Sequence, residues 1–149
     1  MPTFQMPAAL GSSLTLAACW CALVGAALAA PVTLSPFIKL DQFGYLPGMR
    51  KVAVIADPQA GANASQRLPP GTGTAPYQVR RWADDVVVFS GPVQLWTGGA
   101  THAQSGDRGW NFDFSGLQAS GSYYLYDPVQ RVGSGRFEIS EQVYAPVLR

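Results

Sequence analysis

The sequence predicts an all-β sandwich, and three observations carry that prediction. After Pro31 the apolar residues recur with the period of strands, and no helical period appears before Ser140. Seven or eight such runs follow one another at intervals of about 8–12 residues, the spacing of a sandwich of antiparallel strands. Sixteen Gly and twelve Pro are spread along the 149 residues, which suits many short connections. The chain is long enough for one domain with its own core. With 13% charged residues and a net charge of +1, it lacks the electrostatics that would draw it to nucleic acid or an anionic membrane surface.

The first thirty residues stand apart from that pattern. Residues 14–29, "LTLAACWCALVGAALA", form an uncharged apolar run ending in Ala27-Leu28-Ala29. Such a run is short for a membrane span and suits the centre of a secretory signal, although residues 1–13 contain no Lys or Arg. The expectation is a signal peptide over residues 1–29, a secreted or periplasmic product, and no membrane association after cleavage. Cys19 and Cys21 both lie inside this run, so the mature part has neither a disulfide nor a thiolate metal site. "LAAC" at residues 16–19 looks like a lipoprotein cleavage box, which makes anchoring at Cys19 the alternative.

A short linker is expected at residues 30–36 and the sandwich at 37–139. Ile38 and Leu40 flank Lys39 in a first strand, and a turn at Gly44 and Pro47-Gly48 leads to a second. That second strand, residues 52–56, is apolar on both faces, as a central strand can be. Residues 58–76 have almost no large apolar side chain and no period, and read as a mobile loop. Asn63-Ala64-Ser65 in this loop is formally a glycosylation sequon, a short match that carries little weight. "YQVRRW" and "VVVF" form a hairpin around Ala83-Asp84-Asp85, and a further strand is expected at residues 93–96. "WNFDF" sets Trp110, Phe112 and Phe114 on one face against Asn111 and Asp113 on the other, and "RFEIS" turns Phe137 and Ile139 inward. Residues 140–149 read as the start of a helix: Ser140 suits an N-cap, and Val143 with Val147 and Tyr144 with Leu148 are four apart.

Four blocks of this chain, in order, carry a resemblance: "IKLDQFGYLP" with its following strand, "VVFSG", "FDFSGLQASGSYYLY" and "RFEISEQVYAPVLR". Together they resemble the N-terminal immunoglobulin-like domain that precedes the catalytic domain in cellulases of glycoside hydrolase family nine. The opening pattern, roughly I-x-x-N-Q-x-G-Y-x-P in that family, stands here as Ile38, Asp41, Gln42, Gly44, Tyr45 and Pro47, with Asp41 in place of Asn. The resemblance implies an immunoglobulin-like sandwich and a catalytic barrel of paired helices as its partner within a longer polypeptide. It implies Gln42, Gly44, Tyr45, Pro47, Tyr123 and Tyr144 as structural or domain-interface residues. Gly44 is expected to supply a positive φ or a close backbone approach. Tyr45 is left between this domain's core and a neighbour's surface. Tyr123, opening a strand after a corner, suits a tyrosine whose hydroxyl bonds back to the corner backbone.

Chemistry is scarce. Glycoside hydrolysis needs two carboxyl groups flanking the scissile bond. The family's D-A-G-D type of catalytic motif has no equivalent here, and Asp84-Asp85 reads as a turn pair. His102, the single histidine, lies in a Gly- and Ser-rich loop and makes no usual zinc site without cysteine. No catalytic, metal-binding or cofactor-binding residue is assigned, and no cofactor is expected. Trp82 and Trp96 are the aromatics able to meet a sugar, whereas Trp110 belongs to the core. The reading is therefore an accessory domain of an exported cellulase, inactive alone, with β-glucan reached only through the catalytic domain. The alternative is a carbohydrate-binding module or an adhesion-type sandwich.

Overall fold

The computed structural model describes residues 33–69 and 71–148, and the expected signal peptide with Cys19 and Cys21 lies outside them. Nine short strands form two antiparallel sheets. The first sheet has the order β1 (Ile38–Lys39), β2 (Val52–Pro58), β6 (Asp107–Asp113), β5 (Gln94–Leu95). The second runs β4 (Val87–Gly91), β3 (Tyr77–Arg81), β7 (Gly121–Asp127), β8 (Val132–Gly133), with β9 (Phe137–Ile139) on the other end of β7. The all-β sandwich is thus present, with one strand more than the upper count because the two-residue β8 gives no periodic signal in sequence. No helix among the described residues is long and apolar enough to cross a membrane.

The alternation that predicted the strands is what fills the core. Ala53 and Ile55 of β2 and Trp110 and Phe112 of β6, with Phe114 just beyond, meet Tyr77 and Val79 of β3, Tyr123 and Leu125 of β7, and Phe137 and Ile139 of β9. Aromatic edges dominate: Tyr45 sits edge-on to Phe114 and Phe137, with ring centroids 5.3 and 5.6 Å away. Such pairs each add roughly 0.5–1.5 kcal/mol beyond the area they bury. The β3–β4 hairpin forms around Asp84 and Asp85 as expected, with Asp85 at φ 60°. Asp84 pairs with Arg81 and Asp85 with Arg80, so both carboxylates serve the turn.

At three places the structure adds detail that the sequence did not carry. Pro58 closes β2, and beyond it the described residues of 59–76 contain no strand or helix, yet they are tied down rather than free. Asp57, buried at the end of β2, accepts the Leu68 amide at 3.0 Å, and Leu68 packs on the core. Gly73 lies against the Trp110 indole so closely that a Cβ there would come 2.8 Å from Nε1. Both oxygens of Asp57 are engaged, the second by Arg108 at 3.0 Å, which explains how an acid survives in a buried position. At the start of the domain, residues 33–36 are hydrogen-bonded to the sandwich rather than hanging free. Leu34 forms a parallel bridge with Gly133, supported by Ser35 N–H donating to the Gly133 carbonyl at 2.8 Å. At the other end, residues 141–147 form successive turns in place of a regular helix, closed by bonds such as Ala145 N–H to Gln142 O at 2.9 Å. Pro146 has no N–H to donate, and an isolated segment this short lacks the length that makes a helix cooperative.

Candidate domain-boundary site

The opening turn and the final segment of the sandwich meet at one place. Asp41 organises the turn: its Oδ1 accepts the Phe43 N–H at 2.8 Å and its carbonyl accepts the Gly44 N–H at 3.2 Å. An Asn would offer the same acceptor, so the departure from the family pattern leaves this turn intact. Gly44 has φ +97°, and a Cβ on it would lie 2.3 Å from the Glu138 carbonyl oxygen and 2.7 Å from a Val143 methyl. Both reasons expected for a glycine apply at once.

Tyr45 follows, and its location, open in the sequence, is the core of this domain. Its N–H donates to Glu138 O at 2.9 Å and its carbonyl accepts from Ser140 N–H at 3.0 Å, a parallel bridge to Ile139. Its hydroxyl accepts the Asp41 N–H at 3.1 Å. Burial, chiefly, raises the phenol above its usual range, with the Asp41 N–H acting in the opposite direction. Pro47 ends the turn by offering its carbonyl to Lys51 Nζ, which also donates to Met49 O at 3.0 Å. Lys51 is fully buried, and that desolvation lowers its pKa.

Residues 141–147 then lie across this turn. The Tyr144 hydroxyl donates to Gly44 O at 3.3 Å, and its ring meets Phe43 at 6.4 Å. Desolvation raises its pKa, followed by the charge of Asp41. Around this contact, Phe43 is 47% exposed, Val147 52% and Leu148 83%. The structure therefore gathers Gly44, Tyr45, Pro47 and Tyr144 into one site. Gln42 is exposed, with no side-chain partner among the described residues. Tyr123 stands one ring away, against Phe137 at 6.1 Å, and its hydroxyl donates to Ala119 O at 3.1 Å at the corner before β7. Sequence reasoning missed Lys51, whose place before an apolar strand looks like a solvated strand end. It also missed Val143, whose contact with Gly44 is non-local.

Elsewhere the chemistry is structural. Asp127, buried at the end of β7, accepts from the Tyr77 hydroxyl at 2.7 Å and from the Val129 and Gln130 amides. Those bonds fix the β7–β8 turn and, with burial as the larger cause, push the Tyr77 phenol upward. Among the described residues no group of three or more His, Cys, Asp or Glu is placed to hold a metal ion. Trp82 packs edge-on to Tyr124 on the second sheet, whereas Trp96 follows β5 on the first, so the two do not share a platform.

With this geometry in hand, the relatives are informative. The family described as "Cellulase N-terminal ig-like domain" matches residues 34–131. Among solved structures, a metagenome-derived glycoside hydrolase family 9 endoglucanase is 32% identical, with a TM-score of 0.54 over 74% of this chain and 19% of that one. The family 9 endoglucanase J30 is 26% identical, with a TM-score of 0.52 over 69% of this chain and 16% of that one. A family 9 glycoside hydrolase of Bacteroides ovatus shares the fold at 22% identity and TM-score 0.53, over 74% of this chain and 17% of its own. The chain thus spans less than a fifth of each of these structures. No curated protein matches it.

Proposed function

Since this chain belongs to the cellulase N-terminal immunoglobulin-like domain family, we propose that it serves as the accessory domain of an exported cellulase, buttressing a catalytic barrel of paired helices that acts on β-1,4-glucan. The observation that carries this reading is the boundary site. The last segment is laid over the opening turn through Tyr144 and Val143, and Phe43, Val147 and Leu148 are left uncovered beside it. Apolar side chains grouped at the point where the chain leaves a domain are the material of an inter-domain contact. The sandwich would supply a rigid abutment, and the acid and base would come from the neighbour. Residues 37–139 would form the abutment and 140–149 the first turns of the connection.

Joining this chain upstream of a family 9 endoglucanase catalytic domain tests the reading. The expected result is a higher melting temperature for the catalytic part than it has alone, reversed by Phe43→Asp, with the isolated sandwich unaffected by that change. An unchanged melting temperature on fusion, or an equal loss in the isolated sandwich, refutes it.

A further inference from the structure

The outer face of the first sheet carries a hollow that the boundary site does not use. β2 is apolar on both faces, but only one is covered: Ala53 and Ile55 are buried, whereas Val54 is 42% exposed. Val54 lies opposite Asn111 and Ala56 opposite Gly109, giving a floor of small side chains. Trp96, 38% exposed, forms a wall, its ring 5.3 Å from that of His102. The hollow measures about 370 Å³, within the ~300–1,000 Å³ of typical ligand sites. A second hollow of about 490 Å³ shares Asn111 and continues past Val52 to Arg50 and Asp41. The floor from Ala56 to Val52 is about 13 Å long at the rise of a strand.

Among the polar groups along this trough, two neutral amides are spare, while the charges of Arg50 and Arg108 are paired with Asp113 and Asp57. Asn111, and Gln94 opposite it on β5, make no side-chain hydrogen bond among the described residues. His102 Nδ1 accepts the Ser105 N–H at 3.2 Å, which leaves Nε2 as the ring's donor. Arg108 is already paired with Asp57, and the nearby Asp107 carboxylate would repel an anion. β2 and β6 lie inside the sheet, flanked by the short β1 and β5, so an added peptide strand would pair at the sheet's edges rather than on this floor. A flat apolar floor, an indole wall and neutral donors and acceptors along a line match a ring with an apolar C–H face and a rim of hydroxyls.

We propose that this trough is a saccharide-contact site for a linear chain of neutral hexopyranose rings, with Trp96 as the stacking wall and Asn111 as the central hydrogen-bonding group. Its test is separable from that of the boundary reading, because it uses this chain alone and reads Trp96 and Asn111, which lie outside the boundary site. NMR titration of the whole chain with cellohexaose tests it. Saturable shifts are expected at the Trp96 indole N–H and the Asn111 side-chain amide. Trp96→Ala should weaken binding roughly tenfold, about 1.4 kcal/mol, and Asn111→Ala about fivefold, the worth of one hydrogen bond. Three outcomes overturn the proposal: no saturable shift in the wild-type chain, shifts confined to Trp82 on the other sheet, or unchanged affinity in Trp96→Ala.

Discussion

Replacing Gly44 by Ala should be among the most damaging single-atom additions this domain can suffer. The residue has φ +97°, where a Cβ is strained by about 1–2 kcal/mol before any neighbour is considered. The added carbon would also sit 2.3 Å from the Glu138 carbonyl oxygen, a backbone atom with nowhere to swing. Relief requires the opening turn to move away from β9. That movement pulls on Tyr45 N–H to Glu138 O and on Ser140 N–H to Tyr45 O, each worth about 1 kcal/mol. The total is about 3–4 kcal/mol, a large share of the ~5–15 kcal/mol that stabilises a typical domain. Urea unfolding at a slope of about 1–3 kcal/mol/M would then show a midpoint lower by roughly 1–4 M. Gly48→Ala is the matched control, since nothing lies within 4 Å of the Cβ it would add. Equal midpoints for the two variants would refute the argument.

Other expectations follow from the same contacts. Tyr123→Phe removes the hydroxyl that donates to Ala119 O and should cost about 1–2 kcal/mol in urea unfolding, with an unchanged slope. Asp57→Ala releases Leu68 and Arg108 together and should speed proteolytic nicking within residues 58–76, read by mass spectrometry. The Tyr124 phenol, buried and hydrogen-bonded to Asp85, is pushed up to about 12 from 10.0. A raised folded pKa means that its contribution is intact below pH 10.0 and lost as pH rises through about 12, so ionisation of the Tyr124 ring, read by NMR, should accompany loss of stability in that window. Ionisation of the Tyr124 ring itself near pH 10 in a folded chain, followed by NMR of that ring, would contradict this. The chain alone should release no reducing sugar from β-glucans above a heat-killed control, since Asp57, Asp84, Asp85 and Asp127 are all engaged in holding turns and loops.

What was legible in the sequence was whatever obeys a local period. Trp110, Phe112 and Phe114 alternate, and they face inward. The β3–β4 hairpin announces itself by a turn pair between two apolar runs, and it forms there. What escaped depends on contacts between distant residues. Asp57 sits at a strand end, where an acid suggests solvent, and only its pairing with Arg108 and Leu68, 51 and 11 positions on, keeps it inside. Lys51 bends its ammonium back onto two carbonyls of the preceding turn, which no spacing encodes. The four-residue spacing of Val143 with Val147 suggested a helix. Val143 instead spends its side chain on Gly44, and the segment settles as turns across the sandwich. β2 showed its two apolar faces plainly, but nothing in the run itself told which would stay open.

The clasp between Tyr144 and Gly44 joins atoms 100 residues apart in the chain. Loops of that span close late, because their entropy must be met before the contact returns anything. During synthesis from the N-terminus, the opening turn therefore waits, unclasped, until β9 and the residues after it have emerged. Only then can Ser140 and Tyr144 lock onto it. Any segment translated afterwards meets a finished surface rather than a growing one. The closing contact of this domain thus also sets an order: the opening turn is the first part made and among the last to be locked.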